Sequence, residues 1–256
     1  MKMNNIKYVF CIYLLIVIFG GKELFGQNDS AQVKNKKQSF FMSAGVSMPL
    51  SNYASTNGDN SAYAKKGFSV TSLYNYKLAS MIDLVFSHVF MINHVNEDAL
   101  TTNIKNNIGA QVENEITYAA GKSTNWNCNS LMTGLGIRKD IGSNKKLSIY
   151  ANVQGGICMV NSPATETIIQ IDQLFYSTKI KKSNNLAPVY SGNLGLNYLF
   201  APKTGLIFNT NFIGLNLIGN NLDVTEIGNN TYTNKTYSFE QKISSINFTI
   251  GISTHF

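Results

Sequence analysis

Two kinds of hydrophobic pattern divide this chain. The first is one block: after Lys2 and Lys7, the residues from Tyr8 to Phe19 are almost unbroken apolar. Gly20-Gly21 ends the block, and Leu24-Phe25-Gly26 supplies a cleavage sequence before Gln27. A dozen apolar residues fall short of the roughly 20 that span a bilayer as a helix. A basic start, a short apolar block and a small residue at the cut read instead as a removable export signal. The expected organisation is a signal peptide over 1–26, a short periplasmic lead over 27–37 and a single domain over 38–256.

The second pattern is alternation, and it recurs eight times. The runs begin at Phe40, Gly67, Ile82, Trp126, Leu147, Val189, Leu206 and Ile246. In the fifth, Leu147, Ile149, Ala151, Val153 and Ile157 alternate with Ser148, Tyr150, Asn152, Gln154 and Gly156. A period of two marks strands with one apolar and one polar face. Each run has about the length that a tilted strand needs to cross a membrane.

The connections alternate too. Links near Ala79-Ser80, Asp140 to Lys146 and Ala201 to Thr204 are tight, whereas about 49–66, 93–125, 161–188 and 218–236 are long. Short turns at one end and long loops at the other are the layout of a transmembrane barrel. A soluble sandwich or a ligand-binding barrel also alternates, but it must point its apolar face inward. Here the opposite face carries so many Asn, Gln, Lys and Arg residues that the apolar face is better placed against lipid, with every backbone group paired by closure. The expected fold is all-β: an eight-stranded antiparallel up-and-down transmembrane β-barrel.

Charge narrows the choice of partners. The formal charge is +7, and Arg138 is the only arginine. Removing 1–26 takes away Lys2, Lys7, Lys22 and Glu23 and leaves +5. The remaining lysines are scattered, with no basic face of the kind that nucleic acid requires. The three histidines, His88, His94 and His255, have no ligand spacing, and no acidic pair completes a metal site with the cysteines. His88 shares the lipid-facing parity, but the sequence places no nucleophile and orienting acid beside it. Neither enzyme activity nor a cofactor is expected.

These strands, in this order, resemble the small OmpA/OmpX-like outer-membrane β-barrels of the "porin family" class abundant in Bacteroidota. The likeness rests on Gly45-Val46-Ser47-Met48-Pro49-Leu50, Tyr63 to Phe68, Gly134-Leu135-Gly136-Ile137, Gly192 to Tyr198 and the terminal Phe256. It implies the bacterial outer membrane as the location and outer-membrane lipid as the surroundings. It also implies Phe256 as a signal to the barrel-assembly machinery. It implies no single activity, because such barrels serve as structural proteins, adhesins, narrow pores and secretion accessories.

Two groups of side chains stand out. Lys77, Asp83 and Arg138 have inward parity near the tight turns, and a three-residue turn would set Lys77 opposite Asp83. Buried charges must be paired, so a salt-bridged plug at the barrel floor is expected, with an ion gate as the alternative. Cys128 and Cys158 lie on one face, equally far from a turn centred near Ser143, either as a cross-strand disulfide or as two buried thiols. In the second long link, Leu100, Ile104 and Ile108 have helical spacing, and a short amphipathic helix or a flexible polar loop both fit. The functional expectation is a structural or surface-interaction protein acting through its outer loops with surface or envelope proteins. A narrow passive pore and a secretion-accessory barrel are the alternatives.

Overall fold

The computed structural model describes residues 37–56, 61–109, 116–142, 144–228 and 231–256. The signal peptide and most of the periplasmic lead lie outside the described residues. The strands are β1 (Gln38–Pro49), β2 (Ala64–Lys77), β3 (Ile82–Val95), β4 (Ile116–Ser123), β5 (Trp126–Ile141) and β6 (Leu147–Asn161). They continue with β7 (Thr165–Ile171), β8 (Leu174–Ile180), β9 (Asn184–Leu199), β10 (Thr204–Gly228) and β11 (Thr231–His255). Two helices, α1 (Ser51–Ala54) and α2 (Glu97–Gly109), lie in the first two long links.

Eight strands close a ring in the order β1-β2-β3-β5-β6-β9-β10-β11, and β11 pairs back onto β1. Every pairing in it is antiparallel. Cross-strand partners followed around the ring leave β6 at Tyr150, pass through Gly195, Asn209, Thr249, Gly45, Ser69, Met91 and Cys128, and return to β6 at Val160. That shift of ten residues, from position 150 to position 160, is the shear of the barrel. With eight strands it sets a tilt of about 40° and an interior that side chains can fill.

The two faces separate as the alternation requires. Leu135, Ile137, Val153, Ile157, Leu194 and Phe208 point outward and are about half or more exposed. Ser43, Thr71, Ser87, Asn152, Asn211 and Asn247 point inward and are almost wholly buried. Tyr76, Tyr198, Phe200 and Phe256 add exposed aromatic rings near the short-turn end, where a membrane barrel carries an interfacial girdle. An apolar exterior around a polar interior is stable only in lipid. The fold is a membrane-spanning barrel of the outer-membrane type.

The long links depart from the expected loops. β10 and β11 are each 25 residues long and stay paired up to Gly228 and Thr231, so the stretch read as a last loop is a continuous hairpin. Three further strands line up beside it, in the order β10-β8-β7-β4. Helix α2 then covers the outer edge of β4. Its Thr101 Oγ1 accepts the Gly121 N–H at 2.9 Å, and Glu97 Oε1 accepts the Ser123 N–H at 2.6 Å. The Asn96 side chain caps the helix by accepting the Ala99 N–H at 3.3 Å, as N-cap asparagines do. A sheet edge that would otherwise pair promiscuously is closed by these contacts.

Candidate functional site

The lumen is stacked in three tiers. The floor, beside the short turns, holds the charges. Lys77 is the direct cross-strand partner of Asp83, and Arg138 reaches Asp83 from β5, with Nη2 3.3 Å from Oδ2. Arg138 Nη1 also donates to Ser39 Oγ at 3.1 Å, and Asn75 Nδ2 donates to the same oxygen at 3.4 Å. The structure thus brings together all three residues of the expected floor cluster. Beside them, Asn197 Nδ2 sits 2.9 Å from His255 Nε2, and Ser253 Oγ donates to Asn197 Oδ1 at 2.6 Å. A knot of Phe41, Leu73, Val85, Tyr150 and Ile207 seals the space above the ion pair. The Phe41 and Tyr150 rings lie 5.2 Å apart.

The top tier is apolar. Met91, Val160, Ile213, Leu217 and Ile243 fill it, and α1 drops Tyr53 into the mouth, fully buried. The Tyr53 ring meets Trp126 edge-on at 5.8 Å, and its hydroxyl donates to Asn93 Oδ1 at 3.2 Å. Trp126 Nε1 donates to the Ala62 carbonyl at 3.1 Å and pins the following segment over the opening. Burial pushes the Tyr53 phenol well above its ordinary value. No sequence signal marks this cap, because Tyr53 lies in a link where neither helical nor strand periodicity is visible.

Between floor and cap lies a belt of uncharged polar groups. Ser43 and Thr249 share a hydrogen bond of 2.9 Å, Ser87 donates to Gln154 Oε1, and Gln154 Nε2 donates to Asn152 Oδ1 at 2.6 Å. Asn152, Asn193, Asn211 and Asn247 are successive cross-strand partners on β6, β9, β10 and β11. Their inward parity is visible in the sequence. Their alignment follows from four strand registers together, and single-strand reading does not supply it.

Of the two readings left open for the cysteines, the structure has the pair of buried thiols. Cys128 opposes Val160 and Cys158 opposes Ser130, so the two sit one diagonal apart and not face to face. Both are buried free thiols. Intact mass tests this state: unfolding without reductant should let both thiols take up an alkylating reagent, whereas a bridged pair takes up none. His88 lies on the outer face with Nε2 2.7 Å from Asn129 Oδ1, and His94 bonds Asn125 near the loop end at 2.9 Å. Among the described residues no group of three His, Cys, Asp or Glu side chains could hold a metal ion. Phe256 is exposed, with its N–H donating to the Gln38 carbonyl at 2.9 Å, so it closes the seam between the first and last ring strands.

A closed ring of eight strands, apolar outside and polar inside, defines the class: a small β-barrel of the outer-membrane type. No family model matches the chain, and no curated protein matches it. Among solved structures it is similar to the Neisserial surface protein A at 10% identity, over 86% of this chain and 97% of that one, with a TM-score of 0.43. A major outer membrane protein of Thermus thermophilus is similar at 9% identity, over 86% and 99%, with a TM-score of 0.44. The attachment invasion locus protein Ail of Yersinia pestis is similar at 12% identity, over 85% and 99%, with a TM-score of 0.36. No residue role passes from them to this chain.

Proposed function

We infer that this chain is a non-enzymatic anchor in the bacterial outer membrane, exported there, and that it presents an ordered β-sheet to partners at the cell surface. The observation that carries this reading is the contrast between the two ends. The lumen is shut by an ion pair below and by Tyr53 and Trp126 above. The wall on the long-loop side instead continues into the β10–β11 hairpin and its flanking strands. That sheet exposes Tyr118, Phe175, Tyr176, Tyr232 and Tyr237, beside Lys179–Glu166 and Lys235–Glu226 ion pairs. Aromatic side chains of this kind supply contact area at low conformational cost when a partner binds.

Phe256 fits the role of an assembly signal, with outer-membrane lipid surrounding the barrel and the assembly machinery as its first partner. A second reading, a narrow passive pore, draws on the polar belt. The two separate in one experiment on the full-length protein. An epitope placed between Gly228 and Thr231 should be labelled on intact cells, and the purified barrel should show no steady conductance in a planar bilayer. A steady conductance would replace the anchor by the pore. An epitope reached only after the cells are broken would remove the surface role.

A further inference from the structure

The polar belt contains far more hydrogen-bonding capacity than the protein uses. Both amide atoms of Asn193, Asn209 and Asn247 find no protein partner among the described residues, nor does Asn211 Oδ1. These four side chains are at least nine-tenths buried and project inward from three consecutive strands. Hydroxyls of Ser69 and Thr71 on β2 and of Ser191 on β9 also lack protein partners among the described residues. A buried polar group left unmet forfeits its hydration with nothing in return, so a row of them is not tolerated dry.

At the same height four ring positions send no side chain into the lumen, because the neighbouring backbone lies within 2.0 Å of where each Cβ would be. The inward positions Gly45, Gly134, Gly156 and Gly251 carry no side chain, and they fall on β1, β5, β6 and β11 around the belt. The charges lie elsewhere, at the floor with Asp83 and Arg138 and outside the barrel. A guest therefore meets neutral amides and hydroxyls, each able to donate and accept.

We propose that the belt is a binding chamber for an uncharged guest that both donates and accepts hydrogen bonds, namely the hydroxyls of water or of a small polyol. Amide Nδ2 groups give hydrogen bonds to its oxygen, and amide Oδ1 atoms take its protons. At about three hydrogen bonds per buried water, the unpartnered atoms call for on the order of four waters or one polyol of similar size. The floor and the cap make the chamber closed at rest. It does not depend on the surface role proposed above, and either reading can fail without the other.

The test uses the full-length barrel in nanodiscs of deuterated lipid, with 15N-labelled asparagine. Magnetisation transfer from water should reach the side-chain amides of Asn193, Asn209, Asn211 and Asn247. Glycerol is then titrated in as the polyol probe. Saturable shifts of these four amides, with glycerol replacing water as the source of transfer, assign the chamber to polyols. Transfer from water that glycerol leaves unchanged assigns it to water. No transfer from either molecule overturns the proposal, because the amides must then satisfy one another. An Asn211→Leu variant that still assembles should lower the transfer at Asn209 and Asn247 several-fold. If this variant fails to fold, Asn211→Ser supplies the same readout with less change in polarity. Unchanged transfer in a folded variant also overturns the proposal.

Discussion

Replacing Arg138 with Ala should strip the barrel of much of its resistance to unfolding. The guanidinium is the group that holds the Asp83 carboxylate, and both side chains are buried, at 13% and 6% exposure. Without it the carboxylate keeps Lys77 as its cross-strand neighbour but loses its hydrogen-bonded partner, and Ser39 loses a donor. Breaking a buried pair from one side typically costs about 3–5 kcal/mol, because the remaining charge is left in a poor environment. The expected result is a urea midpoint well below that of the native barrel, with heat-modifiable gel migration lost at a lower temperature. Removing both partners, Asp83→Ala with Arg138→Ala, should recover part of the loss, since the unpaired carboxylate is gone and only the half-buried Lys77 keeps a charge at the floor. An Arg138→Ala barrel as stable as the native one, with conductance also unchanged, would dismiss both the plug and the gate.

Changing Gly156 to Val should have the larger effect, abolishing the folded, heat-modifiable species. A Cβ at Gly156 would lie 2.0 Å from the Leu131 carbonyl oxygen, and at Gly134 it would lie 1.9 Å from the Val153 oxygen. The blocking atoms are backbone, so no rotamer change relieves them. These inward glycines let the β5 and β6 backbones approach closely. Gly155, the next residue, points outward, and the nearest atom to its Cβ position is 3.9 Å away. Gly155→Ala should therefore assemble normally. If Gly156→Val assembles as readily as Gly155→Ala, the close approach of β5 and β6 is not required for closure.

The eight ring strands are legible in the sequence because lipid and lumen impose opposite demands on alternate residues. Leu147 to Met159 shows that contrast with a break only at Gly155, and the structure seats it in β6. The extensions are not legible for the same reason. Thr231 to Ser238 is exposed on both faces, so no contrast marks it as a strand, and β4, β7 and β8 lie in links of mixed polarity. In the second link the structure realises the helical one of the two open readings, with Leu100, Ile104 and Ile108 all in α2.

The floor is readable because only one turn has to be counted. The step from Lys77 to Asp83 crosses a single tight link, and inward parity adds Arg138. The cysteines show how sensitive such counting is. A turn centred on Ser143 sets Cys128 opposite Cys158, but β5 and β6 pair symmetrically about position 144, with Ile141 opposite Leu147. One residue in the turn moves the opposing position by two. The asparagine row requires several such counts at once, which is why it emerges only from the assembled registers.

The long hairpin also has a mechanical consequence. At about 3.4 Å per residue, each of its two strands measures roughly 80 Å, far more than the ten or so residues that cross a bilayer at a tilt. Apart from a bulge between Gly219 and Leu222, the same strands stay paired down to the floor. A load applied at the tip therefore pulls along their axes and stresses the rungs that join them to β9 and β1 simultaneously, in shear, instead of peeling them apart in sequence. A flexible loop would stretch and leave the wall untouched. This ribbon acts as a stiff handle whose tension is carried directly into the membrane-embedded wall.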